Sequence, residues 1–277
     1  MHTKTELLGL LRSRGLRLTK RLGQHYVIDA RLAAHLVDLC DLATDDTVIE
    51  IGAGLGAFTD LLASRVNRVV AVEVDRAVCE LLKARLVSRP NVDIVCQDIL
   101  AFDWTRIPRC KVVGAIPYQI TSPILVDLCE HASQVTGAWL GLQQEVASRL
   151  TARPGTKDYG RLTILVQYRF QVSQRARIPR AAFFPQPRVD SAWLQLTTRP
   201  SPAVSVANES LFFEVVRAAF SQRRKTPLNC LGQLPTPRLS RSEALEALRR
   251  TGIPAGARGE TLSLETFASL TKVLDEL

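Results

Sequence analysis

From residue 47 onward the chain alternates short, β-branched apolar runs with amphipathic stretches. TVIEIG (47–52), VVAVEVD (69–75), NVDIVCQD (91–98), KVVG (111–114) and GAWLGLQ (137–143) are too short for helices and predict buried strands. Phe58, Leu61, Leu62 and Val66 fall on one face at helical spacing, as do Val78, Leu81, Leu82 and Leu86. They predict helices over 56–66 and 76–87, and similar patterns follow at 121–132 and 144–152. Strands and helices in this rhythm make an α/β fold, a parallel sheet with helices on both faces. Two more β-rich stretches, RLTILVQYRF (161–170) and VDSAWLQLT (189–197), enclose no convincing helix and can pair as an antiparallel edge. The Pro/Ser-rich TRPSPAVS (198–205) then breaks the pattern, and helical spacing returns at 209–222, 241–251 and 264–276. The pattern predicts two domains: an α/β domain over 1–200 with a basic N-terminal arm, and a small helical domain over 201–277.

Composition narrows the class. The chain has 277 residues, 46% of them hydrophobic, and no apolar run approaches the ~20 residues of a membrane span. The N-terminus lacks the uninterrupted apolar core and small-residue cleavage site of a secretory signal. A cytoplasmic protein without membrane attachment is expected. The six cysteines (40, 79, 96, 110, 129, 230) are scattered without knuckle spacing, and the four His form no ligand pairs. Reduced core thiols and no metal site are expected.

Net charge is +9, and it is unevenly placed. Residues 1–23 carry six Lys/Arg against one Glu, whereas 24–110 carry nine against thirteen acids. Basic excess returns at 145–190, nine against three, and at 217–258, nine against two. Three basic segments around an acidic core suit a polyanionic partner, most simply nucleic acid; ordinary solvated faces are the plainer alternative.

The first predicted strand ends in Glu50-Ile51-Gly52-Ala53-Gly54-Leu55-Gly56 and opens into a helix, with Glu73 at the tip of the next strand, 21 residues after Gly52. Glycines that let the backbone approach a ligand, with a carboxylate for ribose hydroxyls, mark an adenosine-bearing cofactor. A nicotinamide fingerprint needs its third glycine one place later. The spacing and Glu50 favour S-adenosylmethionine, and Asp98, after the third strand, is a candidate acid for the adenine amine.

The fourth strand runs into Ala115-Ile116-Pro117-Tyr118. Pro ends the ladder, so the Tyr ring stands at the C-terminal edge of the sheet. An exocyclic adenine amine is a poor nucleophile, and acceptors for its hydrogens favour the tetrahedral nitrogen of the transition state. An aromatic ring beside them can stack on an extruded base. The corner suits a nucleobase amine methyltransferase.

With these pieces in order, the chain resembles the small-subunit rRNA adenine dimethyltransferases of the KsgA type, relatives of the Erm resistance methyltransferases. LTKRLGQHYVID (18–29), VIEIGAGLGAFT (48–59), VEVD (72–75), QDIL (97–100), IPYQITSPIL (116–125) and QQEVASRL (143–150) carry the resemblance, with RPGTKDYGRLTILVQY (153–168), FFPQPRVDSA (183–192) and AFSQRRKTPLN (219–229). It implies a Rossmann-like methyltransferase domain, a helical C-terminal domain, and transfer of four methyl groups from S-adenosylmethionine to two adjacent adenosines near the 3′ end of small-subunit rRNA, within an immature subunit. It also implies site roles. His25, Val27, Gly52, Gly54, Glu73, Asp98, Ile99 and Ala115 match cofactor positions. Ala115, Ile116, Pro117, Tyr118 and Phe183 match the catalytic set, with Tyr118 and Phe183 as aromatics around the base. Arg223, Arg224 and Lys225 match phosphate contacts. A monomer is expected.

Two positions depart from the family pattern: His25 and Ala115 stand where the family usually has Asn. Ala115 removes a side-chain acceptor and leaves the Ile116 carbonyl. The main expectation is therefore an active dimethyltransferase, and the alternative a ribosome-assembly factor with impaired or absent methylation. Erm-type action on large-subunit rRNA and a nicotinamide oxidoreductase are weaker readings.

Overall fold

A computed structural model describes residues 23–107, 109–221, 226–232, 234 and 238–277, with Thr5, Leu8 and Gly9 ahead of them. Contacts divide the chain into two compact units, Met1–Ala147 with Val172–Thr198, and Ser148–Gln171 with Arg199–Leu277.

The first unit opens with strand β1 (Tyr26–Val27) and helix α1 (Ala30–Asp38), whose N-cap Asp29 accepts from Leu32 N–H. Then come β2 (Thr47–Ile51), α2 (Thr59–Ala63), β3 (Arg68–Glu73), α3 (Arg76–Arg85), β4 (Val92–Cys96), β5 (Cys110–Ala115), α4 (Thr121–Glu130) and β6 (Val135–Gln143). The strands β7 (Phe170–Ile178, its first two residues in the other unit), β8 (Phe183–Phe184) and β9 (Ser191–Thr198) complete it. Seven strands form one sheet in the order β4-β3-β2-β5-β6-β9-β7, while β1 and β8 pair separately as a two-residue ribbon. Strands β4 through β6 are parallel, and β9 is antiparallel to β6.

The physical reason for the parallel core is plain in its residues. Val48, Ile49, Ile51 and Val69 to Val72 are almost fully buried, as strands covered on both faces must be. Leu36, Leu62, Leu82 and Leu86 from α1, α2, α3 and its C-cap pack into the same core. Strand β2 has β3 on one side and β5 on the other, so the chain reverses its direction of travel across the sheet there. Ligands of open α/β sheets bind outside the C-terminal strand ends at such a switch point. Here those ends lead into Gly52 and Ala115.

One element departs from expectation. RLTILVQYRF is not a strand: Arg161–Arg169 form a helix, and the strand is the following Phe170–Ile178. A short apolar run rich in β-branched residues fits either period, and tertiary contacts decide. Thr163 Oγ1 donates to the Arg149 carbonyl, and Gln167 Nε2 to the carbonyls of Leu150 and Ala152. Ile164 and Tyr168 are buried in the core of the second unit. The neighbour of β9 on the sheet edge is therefore β7.

The second unit is helical. After α5 (Gln144–Leu150), which spans the boundary, it holds α6 (Arg161–Arg169), α7 (Glu209–Ala219), α8 (Pro227–Leu231), α9 (Arg241–Arg250) and α10 (Leu264–Asp275). Tyr168 stacks near Phe212, 5.1 Å between ring centres, and its hydroxyl donates to Glu209 Oε1 at 2.9 Å. A reciprocal Ser240–Glu243 capping box starts α9.

Candidate active site

The glycine loop is clamped by the acid that follows it. Glu73 ends β3 and is only 7% exposed. Its Oε2 accepts from Gly54 N–H at 2.9 Å, and Oε1 accepts from Val74 and Asp75 N–H, each at 3.0 Å. Burial pushes its pKa up, and the three N–H groups oppose that. A carboxylate has about four lone-pair sites, so roughly one remains, on Oε2, for an incoming hydroxyl. Gly54 itself has φ +55°, and a Cβ there would lie 2.9 Å from Tyr26 Cε1. Both conformation and space exclude a side chain.

Beneath the loop, Glu50 is 1% exposed, and neither oxygen makes a hydrogen bond of normal geometry to a described residue. Burial pushes its pKa up to about 8. Thr59 stands close enough to oppose the shift, as does Arg85 from α3, while Glu73 adds to it. At neutral pH the group is mostly a neutral acid.

A cleft of about 600 Å³ runs along the C-terminal ends of β2, β3 and β5. His25, Gly52, Gly54, Glu73, Asp98, Ile99, Ala115 and Pro117, all singled out in the sequence, line it. Asp98 is exposed and accepts from Leu100 N–H through Oδ1, at 3.0 Å. A second cleft of about 500 Å³ shares His25, Gly52, Gly54 and Ala115 and adds Val27. His25 and Val27 reach the clefts because Tyr26 pairs with Phe184, and Val27 with Phe183. His25 Nδ1 lies 2.6 Å from the Pro185 carbonyl. A carbonyl only accepts, so Nδ1 carries the hydrogen and Nε2 of the neutral ring is an acceptor.

At the Pro-Tyr corner, Ile116 N–H donates to the Gly141 carbonyl at 3.0 Å, and Ile120 N–H closes a turn on Pro117. No donor among the described residues takes up the Ile116 carbonyl. Tyr118 and Ser191 share a hydrogen bond of 2.8 Å, and the His25 ring lies 5.4 Å from the Tyr118 ring. Burial raises the Tyr118 pKa, Ser191 lowers it, and nearby Asp190 raises it.

Phe183 is more deeply buried than Tyr118, 5% exposed, and packs in the core with Val27; neither of the two side chains lines either cleft. Arg223, Arg224 and Lys225 lie outside the described residues, as does most of the basic N-terminal arm. The sequence reading missed Tyr26, Gln24 and Ser191. Gln24 Nε2 donates to Asp75 Oδ2 at 3.2 Å. Ser191 carried a signal only as part of FFPQPRVDSA. Among the described residues no group of three or more His, Cys, Asp or Glu is arranged to hold a metal, and no helix is long and apolar enough to cross a membrane.

The donor set fits an adenosine-bearing methyl donor: a glycine loop open to backbone approach, one vacant carboxylate site at Glu73, and an exposed acid at Asp98. Fold and cleft together define an S-adenosylmethionine-dependent methyltransferase. A putative class I methyltransferase of this kind from Listeria monocytogenes shares the fold, with TM-score 0.53 at 12% identity over 72% of this chain and 68% of that one. The chain belongs to the ribosomal RNA adenine dimethylase family, which it matches over residues 15–276. It is 42% identical over 284 residues to a ribosomal RNA small subunit methyltransferase A of Moorella thermoacetica, covering 98% of each chain. Identity to the protein of the same name from Anoxybacillus flavithermus is 42% over 281 residues, covering 98% and 95%. A dimethyladenosine transferase from Plasmodium falciparum has the same fold, with TM-score 0.75 at 24% identity over 87% of this chain and 94% of that one. For the 23S rRNA methyltransferase ErmE the values are 0.68, 30%, 90% and 99%.

Proposed function

We propose that this chain dimethylates the N6 amines of two adjacent adenosines near the 3′ end of small-subunit rRNA, within an immature subunit, as a cytoplasmic monomer. Its full-length relatives are named ribosomal RNA small subunit methyltransferase A, and its family is that of the ribosomal RNA adenine dimethylases. The observation that carries the reading to the target base is Tyr118, fixed by Ser191 at the sheet's switch point beside the cofactor cleft.

When bound, S-adenosylmethionine supplies a methyl group on an electrophilic sulfonium. Glu73 accepts from a ribose hydroxyl through its vacant lone pair, Asp98 accepts from the adenine amine of the cofactor, and His25 and Val27 close the cleft from the β1 side. Tyr118 provides a face on which the target base stacks. The Ile116 carbonyl accepts one hydrogen of the target amine and so orients its lone pair. Phe183 supports β1 from the core, and through it the position of His25. Arg223, Arg224 and Lys225 hold rRNA phosphates, which position without specifying.

A second reading rests on Ala115. The methyl side chain offers no acceptor, and one well-placed electrostatic partner is typically worth ~3 kcal/mol, or ~100-fold in rate. In this reading the chain binds cofactor and immature subunit during assembly and methylates poorly. Transfer of labelled methyl to immature subunits lacking the modification separates the two. Incorporation approaching four methyls per particle is expected. No incorporation, with cofactor and subunit binding intact, favours the assembly factor.

A further inference from the structure

Strand β7 is the last strand of the sheet, and most of its side chains are exposed. Ala176 and Ile178 pack on the core, while Ser173, Gln174, Arg175 and Arg177 are exposed, the two arginines on the face opposite Ala176 and Ile178. The chain continues through exposed Arg180 and, after β8, exposed Arg188. Residues 172–190 hold four arginines and a single acid, Asp190, a local charge of +3.

Asp190 organises this surface. Its Oδ2 accepts from Arg177 at 2.7 Å, its Oδ1 accepts from the backbone N–H of Arg180 at 2.9 Å, and Arg180 Nη1 donates to the Arg188 carbonyl at 3.3 Å. The Arg180 N–H, followed by Arg177, holds the Asp190 carboxyl below its usual range. The next residue, Ser191, bonds the Tyr118 hydroxyl. Two consecutive residues therefore tie a basic ridge to the aromatic corner. Arg175 and Arg188 direct no side-chain hydrogen bond or ion pair to any described residue, so their guanidinium groups are available to a partner.

We propose that this β7–β9 ridge is a docking surface for the phosphate backbone of the rRNA strand that delivers the target adenosine to Tyr118. The inference rests on the reading of the corner as the target-base site. Guanidinium groups pair with phosphate oxygens in a planar, bidentate manner, and a run of them matches a polyanion rather than a discrete ligand. Charged residues on edge strands also deter edge-to-edge pairing. That role does not account for Arg188, which lies off the strand, nor for an acid that gathers Arg177 and Arg180 next to Ser191.

The test is the full chain carrying Arg175→Gln and Arg188→Gln, which removes two charges without breaking an internal bond. Binding to immature small subunits lacking the modification is measured across a salt series, alongside methyl transfer. Each lost phosphate contact reduces the slope of log K against log salt by about 0.7 for single-stranded and about 0.9 for duplex nucleic acid. The expected result is a slope lower by about 1.4–1.8, a raised KM for subunits and unchanged affinity for S-adenosylhomocysteine; the double Arg→Lys variant recovers most of the slope. Unchanged slope and KM, with wild-type binding intact, overturn the ridge. A double-Gln variant that self-associates while its monomer binds subunits normally also overturns it, in favour of edge protection. Failure of the wild type to bind subunits at low salt would instead defeat the small-subunit reading, and the ridge with it.

Discussion

Tyr118 and Ser191 meet hydroxyl to hydroxyl at 2.8 Å, across 73 residues of chain. Tyr118 stands just beyond the end of β5, and Ser191 begins β9, which lies one strand further along the sheet beyond β6. The bond fixes the direction of a half-buried ring just beyond Pro117, which lines the larger cleft. Tyr118→Phe and Ser191→Ala each remove it, and a net hydrogen bond is worth about 0.5–1.5 kcal/mol. In urea unfolding the two variants are expected to lose similar stability, and the double variant little more than either. Stacking of a base on an aromatic ring is worth about 1–3 kcal/mol. Tyr118→Ala is therefore expected to lower methyl transfer by roughly 10- to 100-fold, and Tyr118→Phe by only a few-fold. Equal losses for Phe and Ala would show that the hydroxyl matters and the ring face does not.

Glu50 makes stability depend on pH. Its folded pKa is raised from 4.5 to about 8 by burial. Between those values the folded protein holds a proton that the unfolded chain has lost, so this group's contribution falls as pH rises through the window. Glu50→Gln keeps the shape and cannot ionise. By linkage it is expected to gain on the wild type as pH rises, reaching about 4 kcal/mol near pH 8, with the difference shrinking toward pH 4.5. Thermal unfolding of both proteins across pH 5–9 tests this; parallel curves would mean that Glu50 is ionised and satisfied in the folded protein.

How far the sequence predicts this site depends on how local each part is. The strands over 47–52, 69–75 and 137–143 are legible because buried parallel strands are continuous β-branched runs. Gly52, Gly54 and Glu73 are legible because their spacing reflects one strand-loop-helix unit. RLTILVQYRF is misread because its residues suit both periods, and only the bonds from Thr163 and Gln167 to carbonyls of the preceding segment decide. The β1–β8 ribbon has two residues a side, too few to show any period, yet it brings His25 to the cleft. The partnership of Tyr118 with Ser191 is equally hidden, because nothing local links residues so far apart in the chain.

Gly54 has two independent reasons to be glycine. Its φ of +55° strains any L-residue, and a Cβ would press on the Tyr26 ring at 2.9 Å. Gly54→Ala is expected to cost at least about 1 kcal/mol in stability and to displace either Tyr26 or the N–H that Glu73 accepts. Cofactor affinity, measured by calorimetry with S-adenosylhomocysteine, is expected to fall at least tenfold. An unchanged affinity would mean that the loop can shift without disturbing the cleft.

Ala115 is the position where sequence and geometry pull against each other. Its neighbours are built for the chemistry: Ile116 is anchored through its N–H to Gly141, its carbonyl has no donor among the described residues, and Pro117 and Tyr118 form an ordered turn. The side chain supplies no second acceptor, and a larger one has room to consider. Ala115 is half-buried: it packs against the core cluster that holds Val27 and Phe58 and also lines both clefts, so a longer side chain has open space on its cleft side. Ala115→Asn is therefore expected to fold normally and to raise methyl transfer by up to ~100-fold if a side-chain acceptor is what the site lacks. The gain should fall on kcat, because the new bond strengthens as the amine becomes tetrahedral, with little change in affinity for S-adenosylhomocysteine. A variant that binds the cofactor as before but transfers no faster would show that the backbone acceptor at Ile116 suffices, and that Ala115 is a neutral replacement in a working enzyme.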